Sequence, residues 1–503
     1  MRLLKQAGLV ALVAVASGAA AGEGQEWPQF RGPGARQTAD QQTIPDEFGP
    51  DQNVRWKTAV PAGHSSPIVW GNRIFLTGYE GQTLSVLAYD RSTGARLWKT
   101  DLQASGEEPL LHRDATPAAP TPCTNGEQIF AYFGTYGLVA VDMEGKVVWE
   151  RRFPVEQSAF GTGSSPILDG GTLYLVRDVS GFSAVHAFDA ATGQERWMTP
   201  RPEAGLNYST PLVWRNEHRN ELVVAGSTLV KSYDTATGEP LWWVGGQTVF
   251  ICPSPTASRE MLYFGGWSTP NAATEDRLAA GFGPESGLTA ELLDDPARLV
   301  AHLDQDGDGR LQRVEVPEGR ARDAFPYLDA DRSGTWDVHE MEKTAERYRT
   351  VPGRNVLVAI RPGGRGDVTD THVVWERTKG IPYVASPLLY GGRLYYVKKG
   401  GYVSSVDATS GEPLFEQARL GEGGEYYASP LGVGNRVLIG SVRGTMFVLG
   451  TGDELEIVAR NQFDEGIFAT PAIASDTLYL RTEGHLYAIG GDGGGVGLIA
   501  GGR

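Results

Sequence analysis

Apolar and polar positions along this chain follow one recurring phrase. A Ser/Ala-Ser/Thr-Pro opening leads into a short apolar run. A polar turn, an apolar-aromatic run and then Asp-x-x-Thr-Gly-x-x-x-Trp follow. The fullest copy starts at Ser65-Ser66-Pro67, passes through Arg73-Ile74-Phe75-Leu76 and closes on Asp90, Thr93, Gly94 and Trp98. Others start at Ser164-Ser165-Pro166 and Ser209-Thr210-Pro211 and close on Trp197 and Trp242; a fourth starts at Ala385-Ser386-Pro387 and carries Phe415 in place of Trp. Weaker copies open at Thr116-Pro117, Ser254-Pro255, Ser429-Pro430 and Thr470-Pro471. Steps of 45 and 44 residues separate Pro166, Pro211 and Pro255, and steps of 43 and 41 separate Pro387, Pro430 and Pro471. That period is one four-stranded propeller blade.

Each part of the phrase has a physical reason. Pro at the head of a strand needs no ladder donor. Asp-x-x-Thr-Gly is turn chemistry, with Asp accepting from nearby backbone N–H groups and Gly taking a positive φ. The Trp packs between neighbouring blades, because one blade alone cannot bury both faces. Eight openings predict an all-β, eight-bladed β-propeller, weighed against seven blades and against two stacked sandwiches. The last copy ends at Tyr487-Ala488-Ile489 without a Trp strand, whereas Asn53-Val54-Arg55-Trp56-Lys57-Thr58 is a Trp strand with no blade before it. The N-terminal strand is therefore expected to complete the eighth blade.

The phrase Ser-Pro…Ala-x-Asp-x-x-Thr-Gly-x-x-x-Trp resembles the pyrroloquinoline-quinone-like propeller repeats. Those occur in quinoprotein dehydrogenases and in the propeller lipoprotein of the outer-membrane barrel-assembly machinery. The resemblance covers about Asn53 to Ile489 apart from one insertion, and Trp27-Pro28-Gln29-Phe30-Arg31-Gly32-Pro33 looks like the mature start of many secreted bacterial proteins of this type. For a dehydrogenase it implies an adjacent Cys-Cys pair, a catalytic Asp and calcium at the quinone. Here the two cysteines, Cys123 and Cys252, are far apart and expected to be free thiols, and no catalytic Asp aligns. Pyrroloquinoline quinone is therefore not the expected cofactor.

Between Trp267 and about Pro352 the β pattern gives way to charged, helical stretches: Leu292 to Leu303, Glu318 to Leu328 and Val338 to Arg349. Residues 304–315 match D-x-D-x-D-G-x5-E, a calcium loop. Calcium wants six to eight oxygens. Asp304, Asp306, Asp308, the Arg310 carbonyl, Gln312 and Glu315 supply them. A second loop offers Asp329, Asp331, Ser333, the Thr335 carbonyl, Asp337 and Glu340, with Trp336 matching Leu311 at the apolar eighth position. Two Ca2+ sites are expected, in an EF-hand pair inserted in the fifth blade. The short 25-residue spacing of the loop starts favours a structural clip over a sensor.

Charge and the N-terminus set the setting. A formal net charge of -16 disfavours nucleic acid as partner. Arg2 and Lys5, apolar Leu9 to Val15 and Ala19-Ala20-Ala21 form an export leader with a mature start near Gly22, and no Cys lies there to carry lipid. An uncleaved anchor is the alternative; otherwise the location is periplasmic or secreted. The expected organisation is leader 1–21, N-terminal extension 22–52, propeller 53–270 and 351–489, insertion 271–350 and a Gly-rich tail 490–503. No catalytic motif emerges. His64 and Asp114 precede strand openings near the channel, and Arg365-Gly366-Asp367 lies in a Gly-rich loop. Tyr208, Tyr383, Tyr427 and Phe468 stand three or four residues before an opening Pro, so they meet at one channel mouth and form either a ligand or peptide platform or a packed plug. The resulting reading is an exported, calcium-binding, non-catalytic binding or assembly scaffold. A quinone-dependent oxidoreductase and a calcium-dependent adhesion module are the alternatives.

Overall fold

A computed structural model describes residues 26–491 apart from 107–111, 156–159, 180–181, 202–203, 205–206, 269–287, 294, 319–321, 323–324, 326–328, 330–332 and 343–352. The leader and most of the tail thus lie outside the described residues. Eight antiparallel four-stranded sheets form the blades of the propeller. Blade one is Ile68–Trp70, Arg73–Glu80, Thr83–Asp90 and Arg96–Gln103 in that order. Blades two, three, four, six and seven span residues 123–152, 167–200, 212–245, 388–419 and 431–462. Blade eight takes Ala472–Ile473, Leu478–Arg481 and His485–Ile489 from the end of the chain and Val54–Ala59 from its start, so the ring closes as the unpaired Trp strand predicts.

The Ser/Thr before each opening Pro proves to be the inner fastening of the ring. Each backbone N–H donates to the hydroxyl of the equivalent residue on the next blade: Ser66 to Thr121 (2.9 Å), Thr121 to Ser165 (2.9 Å), Ser165 to Thr210 (3.0 Å) and Thr210 to Ser254 (3.0 Å). Ser254 donates to Ser386 (2.9 Å), Ser386 to Ser429 (3.0 Å), Ser429 to Thr470 (2.9 Å), and Thr470 back to Ser66 (3.1 Å). The circle is complete, and all eight residues are buried. It corrects the sequence reading of blade two, which opens at Thr121-Pro122, not at Thr116-Pro117. The earlier pair sits in the long connection from blade one, whose Thr-Pro mimics the motif without entering the circle.

The outer fastening is the Trp. Its indole covers the Gly of the next blade's turn, where an added Cβ would meet ring atoms at 2.5 Å (Gly94 under Trp56), 2.7 Å (Gly145 under Trp98), 2.6 Å (Gly193 under Trp149), 2.4 Å (Gly238 under Trp197) and 2.6 Å (Gly411 under Trp375). Those glycines also have φ between 68° and 86°, a region closed to most side chains. The indole N–H donates to the carbonyl after the turn Asp, as Trp149 does to Ala190 (2.9 Å). Blade four departs from the rule. Trp242 donates to buried Glu221 (2.8 Å), and Gly366–Asp367 adds a short parallel strand along Trp242–Trp243. The Arg365-Gly366-Asp367 tripeptide is therefore edge structure and not a free loop.

Strand alternation separates two faces. Connections between second and third strands, and from one blade to the next, lie on the face called upper here; the Asp-x-x-Thr-Gly turns lie on the lower. In blade five Leu262–Gly266 pairs directly with Val356–Ile360, so residues 267–355 leave from the upper face. The lower face is crossed by residues 27–53. Trp27 pairs with Val69 of blade one, the Pro28 carbonyl accepts from Thr124 of blade two, and Gln29 Oε1 accepts from Leu168 of blade three. Thr38–Ala39 then adds in parallel to Gly432–Val433 of blade seven. The expected N-terminal extension is thus a plug across one end of the channel. Cys123 and Cys252 are both free thiols. Among the described residues no helix is long and apolar enough to cross a membrane.

Candidate functional site

Two groups of side chains on or beyond the upper face carry candidate chemistry. The first is the paired loop module. Its first described helices are Ala290–Leu293 and Pro296–Leu303. The single helix expected over Leu292 to Leu303 is broken there, because Pro296 holds Asp295 extended and Asp295 caps the second piece by accepting from Arg298 N–H (3.1 Å). The other two expected helices lie largely outside the described residues.

Loop one turns inward around its carboxylates. Asp304 accepts from the N–H groups of Gly307 (2.7 Å) and Gly309 (2.8 Å), which hold its carboxyl below the usual range, Gly309 foremost. Glu315 reaches back and accepts from Gln305 N–H (2.7 Å) and Gln312 N–H (2.8 Å). The Gln312 amide ties Asp306 (3.0 Å) to Asp308 (3.1 Å). Oxygens of Asp304, Asp306 and Glu315 lie within 4.8 Å of one another, a spacing one cation can bridge. The Arg310 guanidinium donates to Thr335 Oγ1 (3.3 Å), while its carbonyl remains the oxygen expected at position 7.

Loop two shows the same device where it is described. Asp329 Oδ2 accepts from Gly334 N–H (2.9 Å), and Asp329 Oδ1 is buried without a partner among the described residues. An orphaned carboxylate oxygen inside the loop is costly in isolation and fits a cation there. Ser333 Oγ lies 2.8 Å from Thr335 Oγ1, and Glu340 Oε2 accepts from Asp337 N–H (3.2 Å). Asp331 lies outside the described residues. Leu311–Gln312 pairs with Thr335–Trp336, setting Leu311 opposite Trp336 and locking the loops back to back. Beneath them Leu299, Val300, Leu311, Val316, Phe325, Trp336 and Met341 form a core with none more than 4% exposed.

The second group is the channel mouth. His64 stacks on Phe468 at 4.3 Å, Phe468 lies 5.8 Å from Tyr427, and the Tyr427 hydroxyl donates to Asp114 (3.0 Å), 313 residues away in sequence. These four residues belong to connections into blades one, two, seven and eight, so the long connection bearing Asp114 straps that half of the mouth. Burial, aided by the cation of Arg481, holds the His64 imidazole down to about 4. Tyr208 and Tyr383 belong to the other half. Tyr208 meets Phe160 edge-on at 5.9 Å, and Tyr383 meets Trp267 edge-on at 5.7 Å. Of the expected platform, then, Tyr427 and Phe468 are packed together, while Tyr208 and Tyr383 are paired with rings the sequence reading missed. Trp267 is also the stem of the insertion: its N–H donates to Pro382 O (2.9 Å), and Ser268 and Asn355 bond across the stem (2.8 Å).

With this geometry in view, similarity to known proteins bears on the propeller. The family model described as outer membrane protein assembly factor BamB matches residues 49–159, 152–266 and 297–490. The chain is 27% identical over 215 residues to that assembly factor from Burkholderia pseudomallei (strain K96243), covering 41% of this chain and 50% of the relative. It is 30% identical over 123 residues to the serine/threonine-protein kinase AfsK of Streptomyces griseus, covering 24% of this chain and 14% of the kinase. The chain thus spans half or less of these curated relatives. Among solved structures it is similar to a quinohemoprotein alcohol dehydrogenase from Comamonas testosteroni (TM-score 0.55, 10% identity, 95% of this chain and 82% of that one). A europium-containing methanol dehydrogenase is similar to the same degree (TM-score 0.55, 11% identity, 93% and 98%). At such identities the likeness is one of fold.

Proposed function

The chain belongs to the family of the outer membrane protein assembly factor BamB, and on that premise we propose that it is an exported, non-catalytic binding or assembly scaffold carrying a calcium-clamped module. The observation that carries the calcium reading is the buried Asp329 Oδ1, without a partner among the described residues, in a loop paired with a second loop of converging carboxylates. Calcium is a hard cation, and every donor on offer is oxygen. Asp304, Asp306, Asp308, the Arg310 carbonyl and Glu315 would hold one ion; Asp329, Asp331, Ser333, the Thr335 carbonyl and Glu340 would hold the other. The closed core under Trp336 supports a clip that stays shut, not a sensor that opens an apolar groove.

For the scaffold, support comes from the half-buried rings of Phe160, Tyr208, Tyr383 and Trp267 on the face from which the module leaves. A protein or peptide partner would dock there, where large amphipathic rings give contact area at low entropic cost. The testing experiment is calorimetric calcium titration of the full chain, with Glu315→Gln/Glu340→Gln as control and melting curves with and without chelator. Two sites in the parent and none in the control are expected. Their absence from the parent would sink the calcium reading. The scaffold reading is tested separately. Tyr208→Ala/Tyr383→Ala should release a captured family-type partner with the melting temperature held, and unchanged capture counts against the mouth.

A further inference from the structure

The channel contains a charge that nothing accounts for. Arg31 is 1% exposed. Its guanidinium donates to Pro255 O (2.9 Å), Pro387 O (2.6 Å) and Gln37 Oε1 (3.2 Å), all neutral acceptors. Those carbonyls belong to the heads of the first strands of blades five and six. In these two blades the first strand pairs only with its own second strand, so its other edge faces the channel. Arg31 therefore enters the lumen from the plug. A guanidinium has five N–H donors, and three are used. Among the described residues no carboxylate bonds it. Burial alone pushes it down to about 9, with no acidic group opposing.

Comparison within the molecule sharpens the point. Among the described residues three arginines are fully buried: Arg31, Arg201 and Arg481. Arg201 has the counter-charge such burial demands, Asp178 at 3.1 Å. Among the described residues Arg481 has none; it bonds Ser65, Thr77 and Pro61 at the blade-eight to blade-one side. Arg31 is thus an uncompensated cation in the lumen, and Arg481 is another in the seam between blades eight and one, in a chain whose net charge is -16. The circle of eight hydroxyls lies at the same level as Pro255 and Pro387. Each hydroxyl accepts one backbone N–H and, among the described contacts, donates to nothing, leaving eight O–H groups free to point at a guest. The backbone is also strained to place the cation: Arg31 has φ 63°, and Gln37, which holds its Nε, has φ 59°. Such conformations cost a non-glycine residue free energy and persist where the surroundings demand them.

We propose that the axial channel is an anion site, in which Arg31 and the hydroxyl circle hold one small monovalent anion of halide type beneath the mouth. Size and charge follow from the donors: two remaining guanidinium N–H groups with single-proton donors around them suit a compact, singly charged ion. The plug shuts the lower end, so exchange runs through the upper face.

The test uses the full chain at fixed calcium. Crystals grown in sodium bromide should show an anomalous peak within hydrogen-bond range of the Arg31 guanidinium. The melting temperature should rise with the logarithm of chloride or bromide concentration at constant ionic strength set by gluconate, and Arg31→Met should flatten that dependence. Should Arg31→Met fail to fold, the bromide map of the parent protein decides alone. No peak at Arg31, or a melting temperature indifferent to exchange of chloride for gluconate, overturns the proposal.

Discussion

Ser386→Ala isolates one link of the inner circle. The parent hydroxyl accepts the N–H of Ser254 at 2.9 Å, and Ser386's own N–H bonds Ser429 Oγ at 3.0 Å. Alanine keeps the second bond and deletes the acceptor of the first. Ser254 is buried, so its N–H loses its partner in a site 5% exposed. An unsatisfied buried donor costs about 1–3 kcal/mol. A channel water that took over the bond would hold the loss near the lower end. Unfolding entropy of about 2.1 cal/mol/K per residue makes that only about 1–3 °C of melting temperature for a chain of this size. Denaturant titration, read as a change in midpoint at constant slope, is the better assay. Ser386→Thr is the control, because threonine fills the same place at Thr121, Thr210 and Thr470, and it should lie within about 0.5 kcal/mol of the parent. Alanine equal to the parent, or threonine as damaging as alanine, would refute the role given to the hydroxyl.

Three further outcomes are expected. Gly193→Ala puts a Cβ 2.6 Å from the Trp149 indole at φ 68°, and should cost about 1–3 kcal/mol for overpacking above the 1–2 kcal/mol of the left-handed backbone; Gly171→Ala, at φ 76° with nothing within 4 Å, should cost the second part only in the same denaturant titration. His64 has a folded pKa of about 4 against 6.5 unfolded, so the unfolded chain binds its proton first and stability falls as pH drops from about 6.5 to 4; His64→Phe, which keeps the stack on Phe468, should flatten that segment of a pH-melting curve. Tyr427→Phe removes the bond to Asp114 and should speed amide exchange in residues 112–120 with little change in melting temperature, whereas unchanged exchange means the strap is held elsewhere.

The propeller was legible because its fastenings are local words repeated in sequence. Ser/Thr-Pro and Asp-x-x-Thr-Gly each report a contact made identically on every blade, so periodicity stands in for three-dimensional information. The reading slipped where a word recurred without its contact: Thr116-Pro117 looks like Thr121-Pro122, and only the link from Ser66 to Thr121 tells them apart. The acidic loops are equally local words of twelve contiguous residues, and within the first of them Asp304, Asp306 and Glu315 converge. The mouth was half legible. Tyr208, Tyr383, Tyr427 and Phe468 share a register, but their partners Phe160, Trp267 and Asp114 come from connections of irregular length, and no period marks them.

Arg31 was the least legible residue, and the reason is physical. Its acceptors lie 224 and 356 positions away, so no spacing in the sequence announces them. What the sequence does carry is the conformational signature of its neighbourhood. Gly32 and Gly34 flank Pro33, with φ of 72° and 60°, and a Cβ at Gly32 would meet the Trp27 indole at 2.7 Å. A Gly-Pro-Gly turn pinned under a buried Trp is too constrained for a passive linker. It fixes the direction of the side chain just before it, and that side chain is a cation aimed at the strand heads of blades five and six. The plug therefore does two things: it ties the first strands of six blades together from the lower face, and it sets the electrostatic floor of the channel below the face from which the inserted module leaves.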